Sequence, residues 1–513
     1  MPLFNNTDLH FGSADTASVQ QLQTTLATLG FSLVNHDAPG DFGLATFWAV
    51  REFQSYASMN TVAVEARPSA PVYADRLDPV PTGTERFAGP VSGVVDANTR
   101  VALEAWLDSK FRCPVVIEAW HMAGGQRSAI AQSNIWLFDS LQDGGPRVFA
   151  VDLSGYFAPP PPDRRIVLGD AIKQPGFLGP RSVPPSHTLA VGELLPEALI
   201  GPPLAALSPS QRSTFKVVRS TSEVECLGYF DSINAYDNAL ISTGPCQWTL
   251  GLTDGNGSVG RGELCGYLAF LKFAGRDGFD KLLGNFGVDI DRDWIDSTGK
   301  PTGKALFESG LRKYSGWVRL SDEHGQMQPV KTQAIDANFM RSWHWFYRFA
   351  MAGRTVDSYR RAMWPMARVR IRDILSASLA GPMQIGQAFT SELAVAVLVR
   401  WHIRFPAHII AGGKAAPKLV GMVDQARRSG GTWPDDPARW TQDNEDRLVA
   451  ALRDGSQTAG GGLGDTIPEV MKWPDWTTGN NPRKYALDKT IGRLNPARGS
   501  FQFDSSGLPP PPF

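Results

Sequence analysis

The sequence predicts a mainly helical α+β protein, and three observations predict it. Apolar side chains recur at helical spacing near the start, at Val19, Leu22, Leu26 and Leu29. Long periodic runs return over 332–352, 356–379 and 391–405, and the last, with Leu393, Val395, Val397, Leu398 and Trp401, is apolar all round and reads as a central buried helix. Between 112 and 207, short apolar and β-branched runs are broken by glycine and proline, the pattern of strands. The length of 513 residues allows roughly two to four domains. The expected order is a small helical module over 1–110, a β-rich module or linker over 111–207, a large helical domain with a small antiparallel sheet over 208–460, and an extended Pro/Gly-rich tail over 461–513.

In the first module Gly30 closes the first helix, Asp41-Phe42-Gly43 turns the chain, and Thr46 is placed to cap a second helix bearing Phe47, Val50 and Phe53. This order resembles the peptidoglycan-binding module of bacterial wall hydrolases, in which LQ, LG, a D-G or F-G turn, a threonine and AV-x-x-FQ recur. The matching positions are Leu22-Gln23, Leu29-Gly30, Asp41-Phe42-Gly43, Thr46, and Ala49-Val50 with Phe53-Gln54. Gly93-Val94-Val95-Asp96 and Thr99 to Leu107 look like the module's closing turn and helix, which makes 58–90 an insertion. Such insertions cost little, because closure entropy grows slowly with loop length. The resemblance implies that 18–107 bind bacterial peptidoglycan as an independent unit; a plain helical bundle is the alternative.

The middle segment has strand-like runs at 113–120, 134–138 and 147–157, separated by proline-rich breakers. His121 and Asp152 are of metal-ligand type, although a lone histidine near a strand is more often structural. No task follows for this segment.

The large domain opens on Ser208, suited to an N-cap, and Pro209, preorganised for the first helical turn, with Gly228 as the stop. At about 100° per residue and with Val218 at zero, Thr214, Phe215, Val217 and Val224 fall within an arc from about −120° to about +60°. Glu225 falls at about −20°, inside the arc, and Glu223 at about +140°, outside it. A carboxyl against apolar surface is desolvated in its charged form, so its pKa rises and it holds a proton near neutrality, as a general acid must. A carboxylate-rich turn with Asp231 and Asp237 follows, then Ile241 to Trp248 with strand character.

Glu225, Tyr236-Asp237-Asn238-Ala239 and Ile241-Ser242-Thr243-Gly244-Pro245-Cys246-Gln247-Trp248 together resemble the active-site region of lysozyme-like peptidoglycan hydrolases, the superfamily of goose-type lysozymes and lytic transglycosylases. The resemblance implies a helix-end acid, Glu225, facing a small sheet that lines a sugar groove, with Ser242, Gln247, Tyr236 and Trp248 binding substrate. The second carboxyl role falls to Asp237, with Asp231 next; Glu223 exchanges with Glu225 if the helical phase is shifted. Cys226 stands where the transglycosylase branch carries serine, so a hydrolysed and an anhydro product both stay open. What the resemblance implies is a peptidoglycan glycosidase, a muramidase, of the phage endolysin or type VI secretion effector kind. The alternatives are a lytic transglycosylase, a peptidoglycan amidase or endopeptidase, and a non-catalytic wall-binding protein.

Composition narrows the partners. Fifty basic and 51 acidic residues give a net charge of −1, so no global field favours nucleic acid or an anionic membrane. No stretch of about 20 residues is apolar enough to span a bilayer. The opening residues lack a basic start followed by an apolar run. The expectation is therefore synthesis in the cytoplasm and delivery to the wall by phage lysis or a secretion apparatus, with an immunity protein as a further partner. Eight scattered histidines without HExxH, and four cysteines (Cys113, Cys226, Cys246, Cys265) without CxxC, predict no metal and no cofactor. The thiols are either buried and free or paired to brace the cleft. Trp343, Trp345, Phe346 and Tyr347 line the groove or fill the core.

Overall fold

The computed structural model describes residues 7–29, 31, 37–58, 87–108, 116–123, 126–129, 147–152, 165–167, 200–226, 233–234, 241–250, 262–284, 287–290, 318–321, 326–329, 349, 357–458 and 494–508. Helices dominate these residues, with four small sheets among them.

The first module is α1 (Thr16–Thr28), α2 (Leu44–Ser58) and α3 (Ala97–Asp108). Asp15 caps α1 by accepting from the Ser18 N–H at 3.1 Å, and Val19, Leu22, Leu26 and Leu29 are buried as their spacing predicts. Thr46 does not cap α2, which begins two residues earlier. The Asp37 carboxylate instead takes the N–H groups of Ala45 (3.4 Å) and Thr46 (2.6 Å), and the Thr46 hydroxyl accepts from Gln23 Nε2 at 3.2 Å.

Gln23 also donates to Ala38 O and Asp41 O and accepts from Gly40 N at 2.9 Å. Gln54 repeats the device: it donates to Val94 O (2.8 Å) and Thr99 Oγ1 (3.0 Å) and accepts from Gly93 N (2.9 Å). Gly40 and Gly93 both adopt positive φ, 83° and 80°, where a side chain is strained. The module is thus two copies of one unit, with 17 residues separating glutamine from glycine in the first and 39 in the second. The extra length falls where the insertion was expected. Phe31, just past α1, closes the core against Phe53 of α2 and Trp106 of α3.

β1 (Val116–Ala123), β2 (Gln126–Ala129), β3 (Arg147–Asp152) and β4 (Arg165–Val167) form one antiparallel sheet in the order β2-β1-β3-β4. Val116 pairs with Asp152 and His121 with Arg147. His121 and Asp152 therefore stand at opposite ends of the β1–β3 pair and share no ligand position. The run at 134–138 lies outside the described residues.

The remaining elements run α4 (Pro209–Cys226), β5 (Ile233–Asn234), β6 (Ile241–Thr243), β7 (Trp248–Leu250), α5 (Glu263–Ala274), α6 (Arg276–Leu282), β8 (Val288–Ile290), β9 (Val318–Ser321), β10 (Met327–Pro329) and α7 (Asp357–Ser376). They continue with β11 (Ser378–Ala380), β12 (Met383–Gln384), α8 (Ile385–Ala388), α9 (Glu392–Arg404), α10 (Pro406–Ile409), β13 (Ile410–Ala411), β14 (Lys414–Ala415), α11 (Pro417–Arg428) and α12 (Gln442–Thr458). The aromatic cluster at 343–347 lies outside the described residues.

α4 and α9 pack against each other at the centre, with α7 beside them. α9 is buried from Ala394 to His402, as its apolar composition predicts. α4 departs from the expected amphipathic pattern. Phe215, Val217 and Val218 are buried, but so are Arg219, Ser220, Thr221 and Ser222 on its other sides. The three hydroxyls bond back to carbonyls of their own helix, at Val217 (2.8 Å), Val218 (2.8 Å) and Arg219 (2.9 Å), which lets them be buried without losing a hydrogen bond. Lys216 pairs with Glu392 of α9 at 2.9 Å.

Residues 494–508, part of the tail expected to be extended, form an extended strap over the helices. Gln502 N donates to Ser213 Oγ (3.0 Å), Asp504 N to Thr214 Oγ1 (2.8 Å) and Phe501 N to Thr390 O (2.9 Å). The Asp504 carboxylate pairs with buried Arg368 of α7 at 2.9 Å, and Arg498 pairs with buried Glu445 of α12. Leu494, Phe501, Phe503 and Leu508 of the strap pack on the core, but its polar bonds go to hydroxyls and charges on several helices, so no single period runs through it.

A second buried set of charges ties three helices together. Glu263, the first residue of α5, pairs with Arg370 of α7, and Arg370 Nη1 donates to His402 Nδ1 of α9 at 2.8 Å. Burial pushes the Glu263 carboxyl upward against the opposing pull of Arg370. Burial, aided by the Arg370 charge, holds His402 well below the usual imidazole range, so the ring is neutral.

Two outcomes follow. Asp504→Ala should leave Arg368 without its carboxylate and cost roughly 3 kcal/mol, measured by denaturant unfolding of the full chain; an unchanged midpoint would mean the strap adds no stability. His402 has a lowered pKa, so below about pH 6.5 the unfolded chain takes up a proton that the folded chain refuses, and stability falls as pH drops, by at most about 1.4 kcal/mol per unit. Glu263, being raised, acts in the opposite sense. His402→Asn should therefore show a shallower loss between pH 7.5 and 5 than the parent chain.

Candidate functional site

α4 delivers Glu223 and Glu225 on its last turn, and a three-stranded antiparallel sheet, ordered β5-β6-β7, follows it. Asn234 faces Ser242, Ser242 faces Thr249, and Thr243 faces Trp248. The side chains of Glu223 and Glu225, and all of Asp231, Tyr236 and Asp237, lie outside the described residues. Ser242, Gln247 and Trp248 lie within them, on β6, β7 and the turn between.

That turn, Gly244-Pro245-Cys246-Gln247, closes with the Gln247 N–H donating to Gly244 O at 2.9 Å. Gly244 has φ 81°, and a Cβ there would meet the Trp248 ring at 2.6 Å, so glycine is required by conformation and by space. Gln247 has φ 48° and is the single non-glycine with positive φ among the described residues. Such a conformation costs about 1–3 kcal/mol and persists where the surroundings over-determine it. Both polar atoms of its amide are buried without a hydrogen-bond partner among the described contacts.

Ser242 is also buried, and its hydroxyl is engaged with Thr249 Oγ1 at 2.9 Å. Trp248 corrects an expectation. Its ring is fully buried and stacked on Tyr267, 4.8 Å between centroids and 8° between planes, with Tyr359 edge-on to Tyr267. An indole whose face is covered by another ring packs the core and offers no surface to a sugar. The sheet rests on α5 because Gly262 (φ 101°) lets the two backbones meet: a Cβ there would lie 1.9 Å from Thr249 O.

Glu263 and Arg370, directly beneath this turn, carry no role in the expectations drawn from sequence. The signal available was a lone glutamate opening the apolar run ELCGYLAFL behind a glycine. Their field reaches Cys246, whose thiol burial pushes up to about 11. Burial also raises Cys265. Both are free and buried thiols. A peptidase nucleophile needs the opposite shift, so Cys246 does not fit that role; the Cys226 side chain lies outside the described residues. Among the described residues no group of three or more His, Cys, Asp or Glu could hold a metal ion, and no helix is long and apolar enough to cross a membrane.

Residues 15–61, which span α1 and α2, match the family model described as "Putative peptidoglycan binding domain". No curated protein and no solved structure matches the chain. The matched segment contains the first Gln–Gly–Thr unit whole and the glutamine of the second. The N-terminal helical module thus carries, over residues 15–61, a match to a peptidoglycan-binding domain, which supports peptidoglycan at the cell wall as a partner of the chain.

Proposed function

We propose that the chain is a peptidoglycan glycosidase, a muramidase, in which the N-terminal module holds the wall and the unit formed by the end of α4 and the β5-β6-β7 sheet cleaves the glycan. One observation carries the reading: a helix ending in two glutamates is followed in the chain by a small antiparallel sheet whose turn holds a strained glutamine with a buried amide that lacks a partner among the described residues. A wall-binding domain on the same chain supplies the substrate class.

In this mechanism Glu225 donates its proton to the glycosidic oxygen as the bond breaks, and Asp237, or Asp231 in its place, supports the oxocarbenium-like state or activates water. Gln247 and Ser242 lie near the sugar, with Tyr236 on the strand connection. Glu223 is the other candidate acid. Because α4 is buried at every position from Ser213 to Ser222 except half-buried Lys216, helical phase alone does not separate the two glutamates.

Digestion of purified peptidoglycan, with mass spectrometry of the new ends, tests the reading. Reducing sugar ends support it, anhydro ends turn it to a transglycosylase on the same bond, and free peptide stems overturn it. Glu225→Gln should lower activity by a factor on the order of 10² or more without lowering the melting temperature, while Glu223→Gln should cost little. The reverse pattern exchanges the roles, and full activity in both sinks the assignment.

Gln247→Gly separates conformation from function. Glycine adopts φ 48° without strain, so the melting temperature should hold or rise, while activity should fall about tenfold, the worth of one hydrogen bond to substrate. Lower stability with unchanged activity would make Gln247 a purely structural turn residue.

A further inference from the structure

The wall-binding module holds one helix unlike the others. α1 and α3 keep exposed faces, with Val101 of α3 65% exposed, as helices of a small bundle do. α2 is buried at every position from Ala45 to Ala57, Arg51 and Glu52 included. A helix in a three-helix module has two neighbours within it, so a third surface covers α2.

Arg51 marks a part of that surface. Its guanidinium lies over the rings of Phe47 and Trp48, at 5.6 Å and 5.4 Å from their centroids. Beyond them it reaches Gly287, where a Cβ would stand 2.4 Å from Nη2 and 2.7 Å from Cζ. Gly287 has φ 77° and leads into β8. β8 in turn packs against α5, the helix beneath the candidate sheet. Burial lowers the Arg51 pKa to about 10, consistent with a guanidinium shielded from water and cushioned by aromatic faces.

We infer that the peptidoglycan-binding module is docked on the large domain through the outer side of α2, with Arg51 laid on the Gly287 turn, so that attachment to the wall sets the orientation of the candidate cleavage site. The module is then no independent tethered unit. A side chain at 287 would have to displace the end of the Arg51 side chain, which lies buried on the Phe47 and Trp48 rings, so the glycine serves its own φ first and the close approach second. The orienting role rests on the glycosidase reading above; the docking itself does not.

A double-mutant cycle in the full chain tests the docking. Gly287→Ala is destabilising on its own, through strain at positive φ and through collision with Arg51. In an Arg51→Ala background the strain remains and the collision is gone, so the loss in melting temperature should be clearly smaller. Additive losses would overturn the docking. Small-angle scattering supplies a second readout: Arg51→Glu should increase the radius of gyration, and an unchanged radius counts against the contact. For the orienting role, Arg51→Glu should keep its binding to sacculi and its turnover of short soluble glycans, and lose activity on intact sacculi several-fold. Coupling in the cycle with full activity on sacculi would keep the docking and overturn the orienting role, whereas an inactive parent chain would remove the glycosidase reading and leave the cycle to decide the docking.

Discussion

The large domain depends on burying a helix that is not hydrophobic. α4 carries Arg, Ser, Thr and Lys through most of its length, yet it lies at the centre against α9. Each polar group taken from water must find a partner, since an unmet buried donor or acceptor costs about 1–3 kcal/mol. The hydroxyls of Ser220, Thr221 and Ser222 turn onto their own helix. Those of Ser213 and Thr214 meet backbone groups of the strap, and Lys216 meets Glu392, which also accepts from Asn495 N at 2.7 Å. Strap, α9 and α7 are arranged around these needs, and the sheet that follows α4 inherits its position from them.

The wall-binding module solves a smaller version of the same problem. Its two tight turns expose backbone groups that no helix or strand would satisfy, and one glutamine side chain per turn closes them. The bridge is local to the turn, so the length of chain looped out between Gln54 and Gly93 does not disturb it. That is why the second unit tolerates a connection more than twice as long as the first.

The helices of the module were legible in the sequence because Val19, Leu22 and Leu26 face one core at one period, and α9 was legible because it is apolar all round. Thr46 was misplaced as a cap since the capping group, Asp37, is separated from it by a loop whose path no periodicity reveals. α4 misled for a different reason. Helical phase sorts residues into wet and dry sides only when a helix has a wet side, and here hydroxyls satisfied within the helix removed the need for one. Glu263, Arg370 and His402 come from three distant helices and meet only in the fold. The strap had no pattern to detect, because side chains elsewhere supply its bonds.

The strap also imposes an order in time. Asp504 N bonds to a hydroxyl 290 residues earlier in the chain. At about 5–20 residues per second, synthesis of that interval takes on the order of 15–60 s. Throughout it, α4 exists on the ribosome without the partners of Ser213 and Thr214. An apolar helix left so long without its covering would invite association with other chains. A helix rich in serine, threonine and arginine is well hydrated while it waits, and the polarity that makes α4 an unusual core helix makes it a safe one to synthesise early.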